Sequence, residues 1–277
     1  MEGIGVRWTI GDVSPAGFEA LCLSIWGAWR IFGASAGYAV CVNTVPLQRA
    51  REWTGDLPVE VSWRDARGEL PGFLAERLDP GMAEGVAWRF APLRLFPDRV
   101  ELSLDNDCIL WRMPPAMGQW LADVDPRASL LAEDDRTCLG QFADLCGPEP
   151  RNSGIRGVKP GLDLEAALRA VLAARPVQLC SELDAQGLQV AALSRRGRLR
   201  AVSAEDVTIC SPFPPHVPRL GRCGAHFVGL NARHLPWQLD GRPAEVYVQE
   251  SWRRHRTEIQ RRVGFAPTAA APAFEPC

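Results

Sequence analysis

Two aspartates separated by one residue interrupt an apolar stretch of the chain, RVELSLDNDCILW at 99–111. Apolar and polar residues alternate along the first half of this stretch, which is the period of a β-strand. Carboxylates at such a break are costly unless they are paired or bound to a metal. On an extended segment Asp105 and Asp107 point to the same side, with Asn106 pointing away. Hard oxygen ligands suit Mg²⁺ or Mn²⁺, so the pattern predicts a divalent cation at the end of the strand.

His226 is a further candidate ligand, although an ordinary acidic turn and a structural histidine are the simpler alternatives. It stands among small and apolar residues in GAHFVGL, away from any cluster of charge. A neutral imidazole completes a carboxylate metal site well, and Mn²⁺ accepts it readily. Spacing does not connect His226 with the aspartates, because it lies far downstream of them.

Composition and charge exclude several functional classes. The chain has 277 residues, of which 47% are hydrophobic and 23% charged, with a net charge of −2. This balance gives no general attraction to nucleic acid or anionic lipid. No signal peptide or transmembrane run is recognisable, so a cytoplasmic location is expected. Nine cysteines without a C-x-x-C pair indicate free buried thiols rather than a zinc site.

The elements that must position these residues begin as alternating strands and helices. A strand is expected at 6–13, followed by a helix that Ser14 caps and Gly33 closes, and further strands at 38–45 and 58–63. This order is typical of an α/β fold with a parallel sheet.

No linker divides the chain, so we expect one domain over 1–265 and a disordered Ala/Pro-rich tail at 266–277. A basic helix near 250–263 is interpreted as a solvated face, with contact to anionic lipid headgroups as the alternative. The other expected elements are helices at 88–96, 114–124, 130–145 and 162–174, a turn or short strand at 151–161, and a hairpin around Gly197 at 188–203.

Several blocks in a fixed order resemble metal-dependent glycosyltransferases of the GT-A fold, closest to glycosyltransferase family eight, the family of glycogenin and the lipopolysaccharide galactosyltransferases. VELSLDNDCIL resembles that family's strand ending in D-x-D, and WTIGDVSPAGFEALCLSIW its first strand and helix. NSGI at 152–155, DAQGLQ at 184–189 and HFVGLNARHLPW at 226–237 resemble three further motifs. The resemblance covers most of residues 5–240.

The resemblance implies a three-layer α/β/α sandwich with a mostly parallel central sheet. It also implies transfer of a hexose from a nucleotide diphosphate sugar, with UDP expected, to a hydroxyl of a glycan, lipid-linked or protein acceptor, with retention at the anomeric carbon. Asp105, Asp107 and His226 would hold Mn²⁺ or Mg²⁺ on the diphosphate. Such an enzyme would belong to bacterial glycan biosynthesis.

Further site residues follow from the resemblance by matching position. Thr9 and Asp12 would flank the nucleobase, and Arg89 would contact the sugar nucleotide. The residues expected to line the donor are Asn152, Ser153, Gly154 and Gly229, and those expected to act on the reacting sugar or the leaving diphosphate are Asp184, Gln186, Arg233 and His234. The alternatives are a helix cap for Asp184, a simple turn for 152–154 and a surface charge for Arg89.

The chain also departs from the family pattern. Seven positions separate Gly229 from Pro236, where the family has four, and the expected lysine is absent. Arg233 or His234 would supply the missing charge, although an arginine fork differs from a lysine point charge. Gln189 replaces an asparagine, and Lys159 interrupts the apolar strand after the NSGI motif.

These departures keep a catalytically degenerate nucleotide- or glycan-binding relative as one alternative. A sugar nucleotidyltransferase is another, but GDVSPAG after the first strand lacks a basic residue. A phosphatase with an aspartate nucleophile also needs a D-x-D motif, but normally at the end of its first strand. Here the motif lies after residue 100, which counts against this alternative.

Overall fold

A seven-stranded sheet forms the centre of the part of the chain that the structure, a computed structural model, describes: residues 3–79, 88–195 and 197–266. The strands are β1 (Ile4–Ile10), β2 (Gly37–Val42), β3 (Ser62–Asp65), β4 (Val100–Leu104), β5 (Cys108–Leu110), β6 (Ser129–Glu133), β7 (Arg151–Val158), β8 (Leu199–Val202), β9 (Val207–Ile209), β10 (Gly224–His226), β11 (Gln238–Leu239) and β12 (Arg242–Pro243). The helices are α1 (Pro15–Phe32), α2 (Leu47–Thr54), α3 (Gly72–Ala75), α4 (Pro115–Ala122), α5 (Leu164–Ala174), α6 (Glu182–Ser194) and α7 (Ala244–Val263), with 3-10 turns at Trp88–Phe90 and Gly140–Leu145.

The central sheet has the strand order β3-β2-β1-β4-β7-β6-β8 and is mostly parallel. β1 pairs in parallel with β2 and β4, and β6 pairs in parallel with β8. β7 is antiparallel to both of its neighbours, β4 and β6. One apolar cluster contains residues of α1 and α4, and a second contains residues of α5 and α6. The predicted three-layer α/β class is confirmed.

Helix α1 ties the first strand to the region of the two aspartates. Ser14 caps it by accepting a hydrogen bond from Gly17 N, as the sequence predicts. Inside the core, Trp8 Nε1 donates to Ser24 Oγ at 2.8 Å, and this hydroxyl donates to Cys108 O at 2.6 Å. A Cβ on Gly27 would lie 1.9 Å from Leu110 O, so the helix backbone touches β5 directly.

A buried carboxylate shapes the segment between residues 88 and 96, which was expected to be helical. Only a 3-10 turn forms there, at Trp88–Phe90. The prediction is wrong because Glu101 Oε2 accepts hydrogen bonds from Leu95 N and Phe96 N, each at 2.6 Å, so those amides serve no helix. Arg7 lies 3.9 Å from Glu101, and both side chains are fully buried. Arg7 Nη1 also donates to Pro92 O at 2.7 Å, within the segment. Removing one member of such a buried pair leaves the other charge uncompensated, which costs about 3–5 kcal/mol.

Three other expected elements differ in the structure. The expected helix at 130–145 is replaced by β6 and a 3-10 turn, and the strand expected at 58–63 lies at Ser62–Asp65. Of the turn or short strand expected at 151–161, the strand is present as β7, which is eight residues long. The hairpin at 188–203 is helix α6 followed by β8, because Ser181 and Asp184 start a helix with a capping box.

The remaining elements agree with expectation. The helix expected at 162–174 is α5, capped by Asp163, and that expected at 114–124 is α4. The cysteines of the described residues are free thiols, all buried except Cys138 and Cys180. The tail from residue 267 onward lies outside the described residues. Within the described ranges, no helix combines the length and apolarity that crossing a membrane requires.

The basic helix expected near 250–263 is the second half of α7. Three of its five arginines form ion pairs within the chain. Arg261 and Arg262 pair with Glu258, and Arg256 lies 3.7 Å from Glu19. These ion pairs favour a solvated face over attraction to lipid headgroups.

A small second sheet brings a distant part of the chain to the end of β4. β10 pairs antiparallel with β5 and parallel with β9. The register places His226 opposite Cys108, the residue that follows the D-x-D turn. The histidine therefore reaches the aspartates through strand pairing, which no spacing in the sequence reveals.

Candidate active site

The turn carrying the two aspartates is fixed by backbone hydrogen bonds on both sides. Asp105 N donates to Gly154 O at 2.9 Å, which joins the turn to β7. Phe227 N donates to Asp107 O at 2.9 Å, which joins it to the end of β10. Both aspartates are therefore held on a rigid frame at the carboxyl end of β4, where ligands bind in open α/β sheets.

The structure brings the three sequence-predicted metal ligands together. His226 Nε2 lies 3.5 Å from Asp105 Oδ2 and 3.2 Å from Asp107 Oδ1. One ligand atom from each of the three side chains lies within 4.8 Å of the other two. Asp107 and His226 are buried and Asp105 is partly exposed, so the cluster opens to one side only.

The charges of this cluster fit a hard divalent cation. Asp107 Oδ1 is buried and accepts no hydrogen bond, an expensive state for a carboxylate oxygen unless a cation meets it. Burial tends to lower the pKa of His226, but the two carboxylates outweigh it and raise the pKa to about 10. Burial opposes the charged form of Asp105, yet Arg89 and His226 bring the pKa of that carboxyl below its ordinary value. The two carboxylates thus favour positive charge at the centre, which a protonated His226 provides here and which a divalent cation would provide after displacing that proton.

Arg89 links the cluster to residues expected on the donor side. Its Nη2 donates to Asp105 Oδ2 at 2.8 Å, and its Nη1 donates to Ser153 Oγ at 2.8 Å. Ser153 N in turn donates to Gln186 Oε1 at 3.2 Å. Behind Arg89, the buried Arg156 donates to Gln189 Oε1 at 2.8 Å. The expected Arg89, Ser153 and Gln186 therefore form one connected polar wall beside Asp105.

Gly154 packs against His226, and Asn152 packs against Gly154. Asn152 Oδ1 accepts from Gly154 N at 2.6 Å, and its Nδ2 donates to Asp134 Oδ2 at 3.0 Å. Asp134 also faces His216, whose Nε2 lies 3.2 Å from Oδ1. Sequence reasoning missed Asp134 and His216. The available signal is the acidic pair Asp134 and Asp135 after the apolar run of β6, but the local pattern predicts a helix there.

Comparison with known proteins identifies the architecture. No protein-family model and no curated protein sequence matches the chain. The galactosyltransferase LgtC, solved in complex with donor and acceptor sugar analogs, matches over 97% of this chain and 98% of its own, with 11% identity and a TM-score of 0.55. The chain has the GT-A fold. An active-site mutant of LgtC matches over 95% of this chain and 97% of its own, with 11% identity and a TM-score of 0.54. The apo structure of the bifunctional glycosyltransferase WbbM matches over 94% of this chain and 52% of its own, with 14% identity and a TM-score of 0.50.

In this GT-A fold, the loop that follows β10 crosses to the end of β1. Gly229 begins the loop with a φ of 90°, a conformation that glycine adopts readily. Arg233 Nη2 donates to Asp12 Oδ1 at 2.6 Å, with both side chains largely exposed. Thr9 lies on the same strand end and accepts from Arg7 Nη2 at 3.4 Å. The guanidinium therefore lies at the expected nucleobase side.

His234 is not brought to the cation cluster. Its side chain is 91% exposed, and its Nδ1 lies 3.5 Å from Glu245 Oε1. Glu245 also accepts a hydrogen bond from Leu235 N at 3.2 Å. The contacts of His234 thus place it beside the first turn of α7.

Asp184 has a structural role in this GT-A fold, because both of its carboxylate oxygens accept hydrogen bonds from within the chain. Its Oδ1 accepts from Gln141 N, and its Oδ2 accepts from Gln141 Nε2, Cys180 N and Ser181 N, at 2.8–3.1 Å. Burial tends to raise the pKa of Asp184, but the hydrogen bonds from Gln141 and Cys180 outweigh it and lower the pKa. The residue sets the start of α6, two positions before Gln186, as the helix-cap alternative proposed.

We expect Asp184→Asn to lower the free energy of unfolding at neutral pH by about 1–2 kcal/mol, the range for lost caps and charged hydrogen bonds. Because the pKa of Asp184 is lower in the folded state, its contribution is present above the unfolded pKa of about 4 and is lost as the pH falls. The variant should therefore lose less stability on acidification than the parent in urea unfolding at several pH values. Asp163→Asn is the matched control, because asparagine caps as well as aspartate. Unchanged stability with lost turnover would instead assign Asp184 to catalysis.

Proposed function

We propose that this chain is a glycosyltransferase that moves a hexose from a UDP-sugar to a hydroxyl acceptor, with retention at the anomeric carbon. The observation that carries the proposal is the Asp105, Asp107 and His226 cluster at the carboxyl end of a GT-A sheet, with one buried carboxylate oxygen left without a hydrogen bond. The similarity in fold to a galactosyltransferase solved with donor and acceptor sugar analogs supports the same reaction class.

Asp105, Asp107 and His226 are the proposed holders of Mn²⁺ or Mg²⁺. The bound cation supplies Lewis-acid stabilisation of the departing diphosphate. Oxygen ligands with a single imidazole agree with the preferences of both ions, and Mn²⁺ accepts the nitrogen more readily. The side chains are held by strand pairing and backbone hydrogen bonds, so the site is organised before the donor arrives, which is the arrangement that electrostatic catalysis requires.

The polar wall beside the cluster is the proposed donor-sugar surface. Arg89 is half-exposed and donates to both Asp105 and Ser153, which leaves its guanidinium beside the diphosphate position. Asn152 and Gly154 line the side nearer His226. Gln186 is the proposed contact to the reacting sugar, and Asp184 holds Gln186 there by fixing the start of α6.

Arg233 is the proposed cation for the leaving diphosphate. Exposed ion pairs such as that between Arg233 and Asp12 contribute only about 0–1 kcal/mol, so the guanidinium gives up this contact at little cost. Asp12, together with Thr9, then remains free to face the nucleobase. We do not assign His234 to this step, since it faces Glu245.

Calorimetric titration of UDP with and without Mn²⁺ tests the proposal. We expect binding that depends on the metal, together with slow metal-dependent hydrolysis of one member of a panel of UDP- and GDP-sugars. Equal UDP affinity in the two buffers would count against the cation site. Metal-dependent binding with no hydrolysis or transfer of any sugar nucleotide would favour the degenerate binding relative, for which the longer loop after Gly229 is the supporting observation.

A further inference from the structure

Two asparagines join the D-x-D turn to the loop after Gly229. Asn106 Nδ2 donates to Asn231 Oδ1 at 2.6 Å, and Asn231 Nδ2 donates to Asn106 Oδ1 at 3.0 Å. Asn231 Nδ2 also lies 3.2 Å from Asp107 Oδ2 and donates to it. The middle residue of D-x-D therefore points away from the aspartates, as expected, but it points into a specific partner. We call Asn106 and Asn231 the amide pair.

The first turn of α1 contacts the amide pair through hydrogen bonds. Asn106 Nδ2 donates to Gly17 O at 3.1 Å. Ser14 N donates to Asn231 O at 2.9 Å, and Ser14 Oγ donates to Leu230 O at 2.6 Å. A Cβ on Gly17 would lie 2.7 Å from Asn231 Oδ1. Helix α1, the D-x-D turn and the loop thus meet at one packed point.

The two carboxylate oxygens of Asp107 have different surroundings as a result. Oδ2 accepts a hydrogen bond from Asn231. Oδ1 accepts none and lies 3.2 Å from His226 Nε2. The terminal torsion of an aspartate is broad, so without a donor on Oδ2 the carboxylate would be free to turn. Asn231 therefore fixes which oxygen faces the cluster.

We propose that Asn231 is a positioning residue for the cation site, and that the amide pair couples this site to the loop that carries Arg233. The inference rests on the proposed function, since it requires that Asp107 hold a cation. The coupling is reciprocal. If ordering of the loop increases the affinity for the cation, then binding of the cation favours the ordered loop by the same factor. A bound cation would thus favour the ordered form of the loop that carries Arg233.

Titration of the nucleotide-free protein with Mn²⁺ tests the positioning role by calorimetry. We expect Asn231→Ala to weaken Mn²⁺ binding about 10- to 100-fold, the usual effect of losing a partner of a metal ligand. Asn106→Ala should weaken it less, because Asn106 does not contact Asp107. The double variant should be no weaker than Asn231→Ala alone, because the two residues act as a unit. If the losses of Mn²⁺ affinity in the two single variants add up in the double variant, the two asparagines do not act as a unit and the inference is overturned.

Hydrogen exchange of residues 229–237 with and without Mn²⁺ tests the coupling. We expect Mn²⁺ to slow exchange there in the parent protein and to have no such effect in Asn231→Ala. Gln48→Ala, which removes an exposed amide on α2, is the matched control and should behave as the parent. Should Asn231→Ala fail to fold, Gly17→Ala keeps the test, because its Cβ presses on Asn231 and should weaken Mn²⁺ binding in the same direction.

The outcomes separate this inference from the proposed function. If the parent protein and Asp107→Ala both bind no Mn²⁺, the cation site and the proposed function fail together. If the parent binds Mn²⁺, Asp107→Ala does not, and Asn231→Ala binds as the parent does, only the amide-pair inference is overturned.

Discussion

Asp107→Ala is expected to lower metal-dependent turnover of the nucleotide sugar by about 1,000-fold or more. The substitution removes Oδ1, the buried oxygen that accepts no hydrogen bond and faces His226. A cation acting on a leaving oxygen contributes several kcal/mol of transition-state stabilisation, and each 1.4 kcal/mol or so is tenfold in rate. Initial rates at saturating Mn²⁺ with the best donor of the panel measure the loss directly.

Two further variants make this prediction specific. Asp107→Asn keeps the volume of the side chain and its Oδ1 but removes the charge, so it should lose most of the Mn²⁺ affinity while remaining folded. Asp98→Ala removes an exposed carboxylate close to β4 in sequence and should retain parental turnover. Unchanged turnover in Asp107→Ala would remove the aspartate from the reaction altogether.

The local part of the site was readable from the sequence, and its long-range part was not. The alternation before Asp105 and the return of apolar residues after Asp107 are properties of one strand and turn, so the local pattern sufficed. His226 joins them through the pairing of β10 with β5. That pairing depends on which strands become neighbours in the fold, and only the family resemblance connected the residues beforehand.

Two segments whose local pattern misleads, α6 and β7, share a physical cause. α6 is buried along nearly its whole length, so its apolar residues show no amphipathic period and resemble a strand. β7 carries two glycines, which suggest a turn, yet a Cβ on Gly157 would lie 2.6 Å from the Trp120 ring. Glycine is required at position 157 because the Trp120 side chain on α4 packs directly against its backbone. In both elements the tertiary surroundings override the local preference.

The polar partners that sequence reasoning missed are likewise pairs across long separations. Asp134 with His216, and Asn106 with Asn231, each join segments that are far apart in the chain. Asp134, Asn106 and Asn231 each fit an ordinary turn when taken alone, because asparagine and aspartate favour turns. Their roles become visible only in the folded structure, where the two partners of each pair lie next to each other.

Gly154→Ala is expected to reduce Mn²⁺ affinity by about 100-fold or more, although residue 154 carries no ligand atom, because a metal ligand that is displaced loses its geometry. A Cβ at this position would lie 2.3 Å from His226 Cε1, 2.6 Å from its Nδ1 and 2.8 Å from Asn152 Oδ1. His226 is buried and cannot move away without leaving the carboxylates. Overpacking of this kind costs about 1–3 kcal/mol of stability, which thermal unfolding measures alongside the Mn²⁺ titration.

A double variant separates the displaced ligand from general damage to the fold. In the His226→Ala background the imidazole is gone, so adding Gly154→Ala should cost less stability than it does in the parent protein, while Mn²⁺ binding stays lost in both. Gly118→Ala is the matched control: its Cβ would lie 3.9 Å from the nearest atom, on Met113, and alanine within α4 should raise stability by up to about 1 kcal/mol. Parental Mn²⁺ affinity in Gly154→Ala would show that His226 is not a ligand, because the methyl group and the imidazole cannot share that space.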